Sequence, residues 1–335
     1  MKFKIIFLFC NSIDPFVTDN TSTARAITKS LKKQKMKSKI VKQIIVRLLL
    51  FAVTGVNYIQ AQIKPGVFYA VTGNGIKDTS WLFGTYHLIN DSYLNEIPAV
   101  LNAFKKAKHL VVEVIIDSSE LATANSKALL QNKQLSELLD KGFADSLDAE
   151  LKATIGQGIE QFQAFKPMTI MLTLSMINLM KDNQPILKKY TGIPLDASFV
   201  AKSKSSGKAV TALETINQQM DLLFNTISDE EQTVMLKLFL RNKEQNMKLG
   251  NDLLKIYFEN DINKIYSIYQ ESIKATGDMD FLIKKRNDHW IQVLPVLFKK
   301  ESNFVAVGAL HLAGPDGLVE QFKKLGCTVT AQNLR

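Results

Sequence analysis

The chain has 335 residues, 46% hydrophobic and 22% charged, enough length and apolar content for a sizeable core, which excludes disordered, collagenous and disulfide-scaffold classes. Its formal charge of +10 is uneven: residues 1–60 hold 11 Lys/Arg against two acids, Asp14 and Asp19, leaving 31 bases and 30 acids for the rest. The folded part is therefore close to neutral, and nucleic acid is not expected as a partner.

The basic front contains a leader signature. Met36-Lys-Ser-Lys, Lys42 and Arg47 precede the apolar run Leu48–Val56, and Ala61 supplies a small residue for cleavage. That order reads as a secretory signal peptide over residues 36–61; its apolar run is far short of the roughly 20 residues that a spanning helix needs. Residues 1–35 have only a weak apolar run, Ile5–Cys10, and read as an untranslated or disordered leader, with translation starting at Met36. Residues 62–335 are then one catalytic domain of an exported protein, periplasmic or extracellular in a bacterium, that touches membrane only through its signal peptide. Cys10 falls in the leader, so Cys327 stands alone and no intramolecular disulfide can form.

Next come two β-rich runs, Val67–Thr72 and Trp81–His87, split by Gly73-Asn-Gly-Ile-Lys-Asp78, which predicts a hairpin. Pro98–Lys108 carries Val100, Leu101 and Phe104 at helical spacing and feeds the strand Leu110–Ile116. From Ser118 to about Lys300 the pattern is mostly helical, interrupted by Gly192-Ile-Pro and a strand at Ala209–Leu213. Within it, Pro167–Met180 is the most apolar stretch; at about 13 residues, with Thr, Ser and Asn inside, it reads as a buried or groove-lining helix. A strand at Phe304–Leu310, a helix over Pro315–Leu325 and a strand at Thr328–Thr330 close the chain. The fold class is α+β: a mixed sheet formed from both ends of the chain, enclosing a large helical insert.

Of four histidines, two sit alike: Gly84-Thr-Tyr-His87 and Gly308-Ala-Leu-His311 each end an apolar run, where sheet folds place their sites. Glu113 lies inside Val111-Val-Glu-Val-Ile, where a carboxylate needs a compensating cation or histidine. Two imidazoles and a carboxylate can hold Zn, Mn or Co and turn a bound water into hydroxide near neutral pH. The set lacks His-Glu-x-x-His and paired cysteines, so histidines that only pack or cap remain the alternative. His109 reads as a solvated strand end, His289 as a packed or half-exposed helix residue, and Cys327 as a small core residue. There is no Gly-x-Ser-x-Gly for a serine nucleophile.

Several pieces together resemble the TraB/GumN family, which is related to the Tiki proteins: Leu82-Phe-Gly-Thr-Tyr-His87-Leu, the Glu113 strand, Leu195-Asp196, Gly207-Lys208 leading to Ala212-Leu-Glu214-Thr215 with Gln219, Arg286-Asn287, and Val307-Gly-Ala-Leu-His311-Leu-Ala-Gly-Pro-Asp-Gly317-Leu. In order, they span residues 65–333. The resemblance implies a Tiki/erythromycin-esterase-like α+β fold with both Gly-x-x-His elements at one site. It also implies a metal-dependent protease activity favouring Mn or Co, with His87, Glu113 and His311 as ligands and catalytic groups. Asp196, Glu214, Arg286 and Asn287 match further family positions, of which Glu214 and Arg286 rank as supporting or substrate contacts. Ala309 departs from the Gly common there.

The expectation is thus an exported metal-dependent hydrolase, a peptidase, binding a divalent metal (Mn, Co or Zn) on His87, His311 and Glu113. Two alternatives stand beside it: a non-catalytic periplasmic protein that binds peptides or signals, and a metal-independent esterase-like hydrolase using histidine and Glu113 as acid and base.

Overall fold

The computed structural model describes residues 63–335 except Asp117 and Ser118; the leader and signal peptide expected over residues 1–61 lie outside the described residues. Six strands, β1 (Phe68–Gly73), β2 (Ile76–Thr85), β3 (His109–Val114), β4 (Ala209–Glu214), β5 (Asn303–Gly308) and β6 (Thr328–Ala331), form one mixed sheet in the order β4-β3-β5-β2-β1-β6. Neighbours from β4 to β2 run parallel, and β1 is antiparallel to both β2 and β6. The fold is α+β, with sheet strands from both ends of the chain and helices between.

The β1–β2 hairpin follows from its turn residues. Gly73 pairs with Ile76, leaving Asn74-Gly75 as the loop, and both carry positive φ, 46° and 79°. Asn and Gly tolerate that left-handed region, which makes the tight turn whose twist matches the strands. The turn is shorter than the 73–78 segment expected, since β2 already begins at Ile76.

β5 lies between β3 and β2 and is covered on both faces, so Phe304–Val307 is a continuous buried apolar run rather than an alternating one. It ends at Gly308, two residues before the expected Leu310, because Ala309–Leu312 turns into a 3-10 helix. The last helix is likewise shorter than expected, Leu318–Lys324.

Two buried apolar clusters hold the described residues together. One surrounds the sheet, with Phe83, Phe199, Phe304 and Trp290 among its members; the other lies within the helical insert, around Leu135, Leu147, Leu174, Leu236 and Phe239. Pro167–Asp182 is a helix with Pro167 in its first turn, where a missing N–H costs nothing. One side of it, Met168, Ile170, Met171 and Leu174, packs into the second cluster, while Leu172, Met176 and Leu179 line a cavity. That is the groove-lining role expected of this stretch. No helix among the described residues is long and apolar enough to cross a membrane.

Candidate functional site

The parallel register aligns the C-terminal ends of four strands. Thr85 stands opposite Gly308 and Val114 opposite Glu214, so the segments following β2, β3, β4 and β5 leave the same edge of the sheet. Ligand sites of parallel sheets form at this edge, because loops diverge there and open a crevice. His87, Glu113, Glu214 and His311 all reach it.

Gly308 is the point around which they gather. A Cβ built on it would lie 3.3 Å from Glu113 Oε1, 3.7 Å from His311 Cδ2 and 3.9 Å from His87 Nε2. The three residues singled out in the sequence, separated by up to 224 positions in the chain, are thereby brought together. A side chain here would point into the space between the three groups and press most closely on the Glu113 carboxylate.

Arg286 occupies the buried side of this cluster. Its NH2 donates to Glu113 Oε2 at 2.6 Å and meets Glu214 Oε2 at 2.9 Å, its Nε donates to Glu214 Oε1 at 2.9 Å, and its NH1 reaches His311 Nε2 at 3.0 Å and Leu282 O at 3.3 Å. Its guanidinium lies 4.7 Å from the Trp290 ring centre, and Trp290 Nε1 donates to Glu214 Oε1 at 3.0 Å. Glu113 Oε1 accepts from the Gly308 N–H at 2.6 Å. One arginine thus compensates two buried glutamates, which answers the charge problem posed by Glu113 inside an apolar strand.

The histidines differ in state. Asn287 Nδ2 donates to the carbonyls of His311 and Asp316, so its Oδ1 faces His311 Nδ1, 2.8 Å away, and accepts that hydrogen. His311 is then neutral with its Nε2 lone pair taken by Arg286, and burial pushes its pKa down to about 3. His87 is the opposite. Its Nδ1 donates to Asp196 Oδ2 at 2.9 Å, and that bond raises its pKa to about 9 against the opposing effect of burial; the Asp196 and Glu113 charges add to the rise. Asp196 sits in the first turn of the Leu195–Ser205 helix, where an acid suits the helix dipole, and Thr85 Oγ1 fixes its other oxygen at 2.6 Å. The His87 side chain is 65% accessible, but into the cleft, of which it forms part of the wall. Burial acts against the Glu113 charge, yet the His311, Arg286 and His87 side chains with the Gly308 N–H hold its pKa at about 2; with His311 neutral, Arg286 is the main positive partner.

As arranged, these residues do not fit a shared metal ion. Both Glu113 oxygens and His311 Nε2 already accept N–H donors, and a guanidinium occupies the position where a cation would be needed. Among the described residues no three His, Cys, Asp or Glu side chains stand close enough to hold a metal. The divalent metal expected on His87, His311 and Glu113 would require Arg286 to withdraw.

The polar edge opens into a cavity of about 560 Å3, whose remaining wall is largely Leu, Met and Ile. Asp196, read in the sequence only as a family position, is the partner of His87; Glu214, Arg286 and Asn287 support the cluster from behind. Trp290, which carries no motif of its own, joins the cluster through Glu214 and Arg286. Its spacing of four from Arg286 on one helix, which puts both on the same face, is the signal that links them. His109 is not a solvated strand end: it is largely buried, with Nδ1 3.2 Å from Glu301 and Nε2 2.9 Å from Thr211. His289 is exposed on its helix, and Cys327 is buried, as expected of a small core residue.

The sequence model of the TraB/PrgY/gumN family matches residues 67–331, which takes in every residue of this cluster. No curated protein and no solved structure matches the chain.

Proposed function

The chain belongs to the TraB/PrgY/gumN family, and we propose that its cleft is a hydrolytic site in which His87, oriented by Asp196, handles the proton. The reading rests above all on one observation: Asp196 holds Nδ1 of His87 while Nε2 faces the Glu113–Gly308 end of the cavity. A carboxylate only accepts, so Nδ1 carries the hydrogen and the neutral ring keeps its lone pair on Nε2.

In the proposed reaction a water oxygen adds to the carbonyl carbon of an ester or amide. One water proton passes to His87 Nε2. The bond to the leaving oxygen or nitrogen then breaks, and that atom takes the proton back from His87, giving an acid and an alcohol or amine. The imidazolium formed in between lies near two carboxylates, Asp196 and Glu113, which stabilise it; the same carboxylates explain its raised pKa. The Arg286 guanidinium hydrogen-bonds Glu113, Glu214, His311 and Leu282 and forms a further ion-pair contact with Glu214, so its role is to hold the floor of the site in place.

Of the three readings open from the sequence, this keeps the metal-independent one but pairs the histidine with Asp196 in place of Glu113 as acid–base partner. The metal-dependent peptidase and the binding protein are outcomes of the same test: turnover of 4-nitrophenyl esters and of a peptide library by wild type and His87→Ala, with and without Mn, Co or Zn. Turnover that needs no metal and disappears in His87→Ala supports the proposal; turnover appearing only with metal replaces it with the metallopeptidase; binding without turnover replaces it with a binding protein. Export is proposed from the leader at residues 36–61, and a secreted form beginning at Gln62, read by N-terminal sequencing, tests it.

A further inference from the structure

His87 lines two chambers that differ in the charged groups they carry. On one side is the 560 Å3 cavity, walled by Leu172, Met176, Leu179, Leu222, Leu223 and Ile283. A smaller chamber of about 180 Å3 continues it between helices, sharing Leu172, Ser175, Leu253 and Leu310. On the other side His87 and Leu88 also line a chamber of about 730 Å3 whose wall mixes the apolar Ile177, Met180 and Leu187 with Asn90, Lys181 and Lys188. Two lysines and no Asp or Glu line that second chamber.

From this division, and resting on the hydrolytic reading, we infer that the site takes an anionic amphiphile: an alkyl or acyl chain in the Leu/Met-walled chamber, a negatively charged head in the lysine-bearing one, and the reacting bond between them at His87. Beyond Thr85, His87, Glu113, Arg286 and His311, the polar side chains on the apolar chamber are Ser175, Gln219 and the hydroxyls of Tyr86 and Tyr257, the last of which already donates to Gly84 O at 3.0 Å. An extended peptide placed there would lose water from backbone N–H and C=O groups without regaining partners, whereas a hydrocarbon chain has none to satisfy. The head chamber works by charge: Lys181 Nζ already donates to Thr154 O at 2.7 Å, and Lys188 is exposed on the wall. At the junction His87 is paired with Asp196 through Nδ1, which leaves its Nε2 side free to meet the head group.

The test is calorimetric titration of the full chain with hexyl, octyl and decyl phosphate, 1-octanol and inorganic phosphate. Affinity should rise about fourfold per added methylene, octanol should bind at least tenfold more weakly than octyl phosphate, and inorganic phosphate should not bind detectably. Lys188→Glu should weaken octyl phosphate about tenfold and leave octanol unchanged. Met176→Trp, which adds bulk to the wall of the apolar chamber, should lower the decyl-to-hexyl ratio. Both substituted residues are exposed, so the fold should survive. Affinity independent of chain length, octanol binding as tightly as octyl phosphate, or no effect of Lys188→Glu would each overturn the inference. Turnover of 4-nitrophenyl octanoate separates the two proposals. Octyl phosphate bound without ester turnover overturns the hydrolase alone; ester turnover that octyl phosphate does not inhibit overturns the amphiphile site alone.

Discussion

Arg286 is where stability and site geometry meet, and Arg286→Leu is the perturbation that separates them. The substitution keeps an apolar stem but removes the only guanidinium between Glu113 and Glu214, whose side chains are 8% and 6% exposed. Breaking a buried pair by deleting one partner costs about 3–5 kcal/mol, because the remaining charge stays desolvated. In wild type the Glu113 carboxyl is held at about 2 instead of 4.5 by its surroundings as a whole, Arg286 among them. The stabilisation that goes with this shift is present above the unfolded-state pKa and is lost as pH falls through about 2. In Arg286→Leu only the Gly308 N–H and His87 still oppose the effect of burial on Glu113, so its pKa rises, and the deficit is largest at neutral pH and shrinks below about pH 4–5, where the folded and unfolded carboxyls are both protonated. Thermal unfolding followed by circular dichroism should show a midpoint lower by about 10 °C at pH 7, with much of the gap closed at pH 4. Arg286→Lys should fall between, since an ammonium keeps the charge but cannot reach both glutamates, His311 and Leu282 O at once. A midpoint for Arg286→Leu within 2 °C of wild type at pH 7, or a deficit that does not vary with pH, would refute this account.

His87 should titrate near pH 9 when followed by NMR of its ring protons, and Asp196→Asn should bring it down toward the ordinary 6.5. Ester turnover should accordingly climb with pH up to about 9 in wild type and level off at lower pH in Asp196→Asn; the stabilisation from the His87–Asp196 pair should be complete below pH 6.5 and disappear through pH 9. Gly84→Ala would place a Cβ 2.8 Å from Ala309 Cα, so the 3-10 turn that follows β5 must shift away from β2, and urea unfolding should show a loss of about 1–3 kcal/mol. Adding EDTA should leave turnover unchanged, and titration with Mn, Co or Zn should release no heat that His311→Ala abolishes, because His311 Nε2 already accepts from Arg286.

Some of this was written locally in the chain and some was not. Asn74-Gly75 dictates its own hairpin, since only residues tolerant of positive φ can make that turn. The apolar run Phe304–Val307 announces a strand covered on both faces, and the two Gly-x-x-His ends place histidines where strands stop. Those signals gave the α+β class and put His87, Glu113 and His311 at strand ends or within a strand. They could not say what each imidazole faces. That depends on helices far along the chain: Asp196 comes from the Leu195–Ser205 helix and takes His87, while Arg286 comes from the Asp280–Lys300 helix and takes His311 and Glu113. Two histidines in the same local motif therefore end in opposite protonation states, one charged beside a carboxylate and one neutral beside a guanidinium. Short-range sequence fixes backbone conformation because steric and turn preferences act over a few residues. A buried charge, by contrast, takes its character from whatever the tertiary packing brings within a few ångströms.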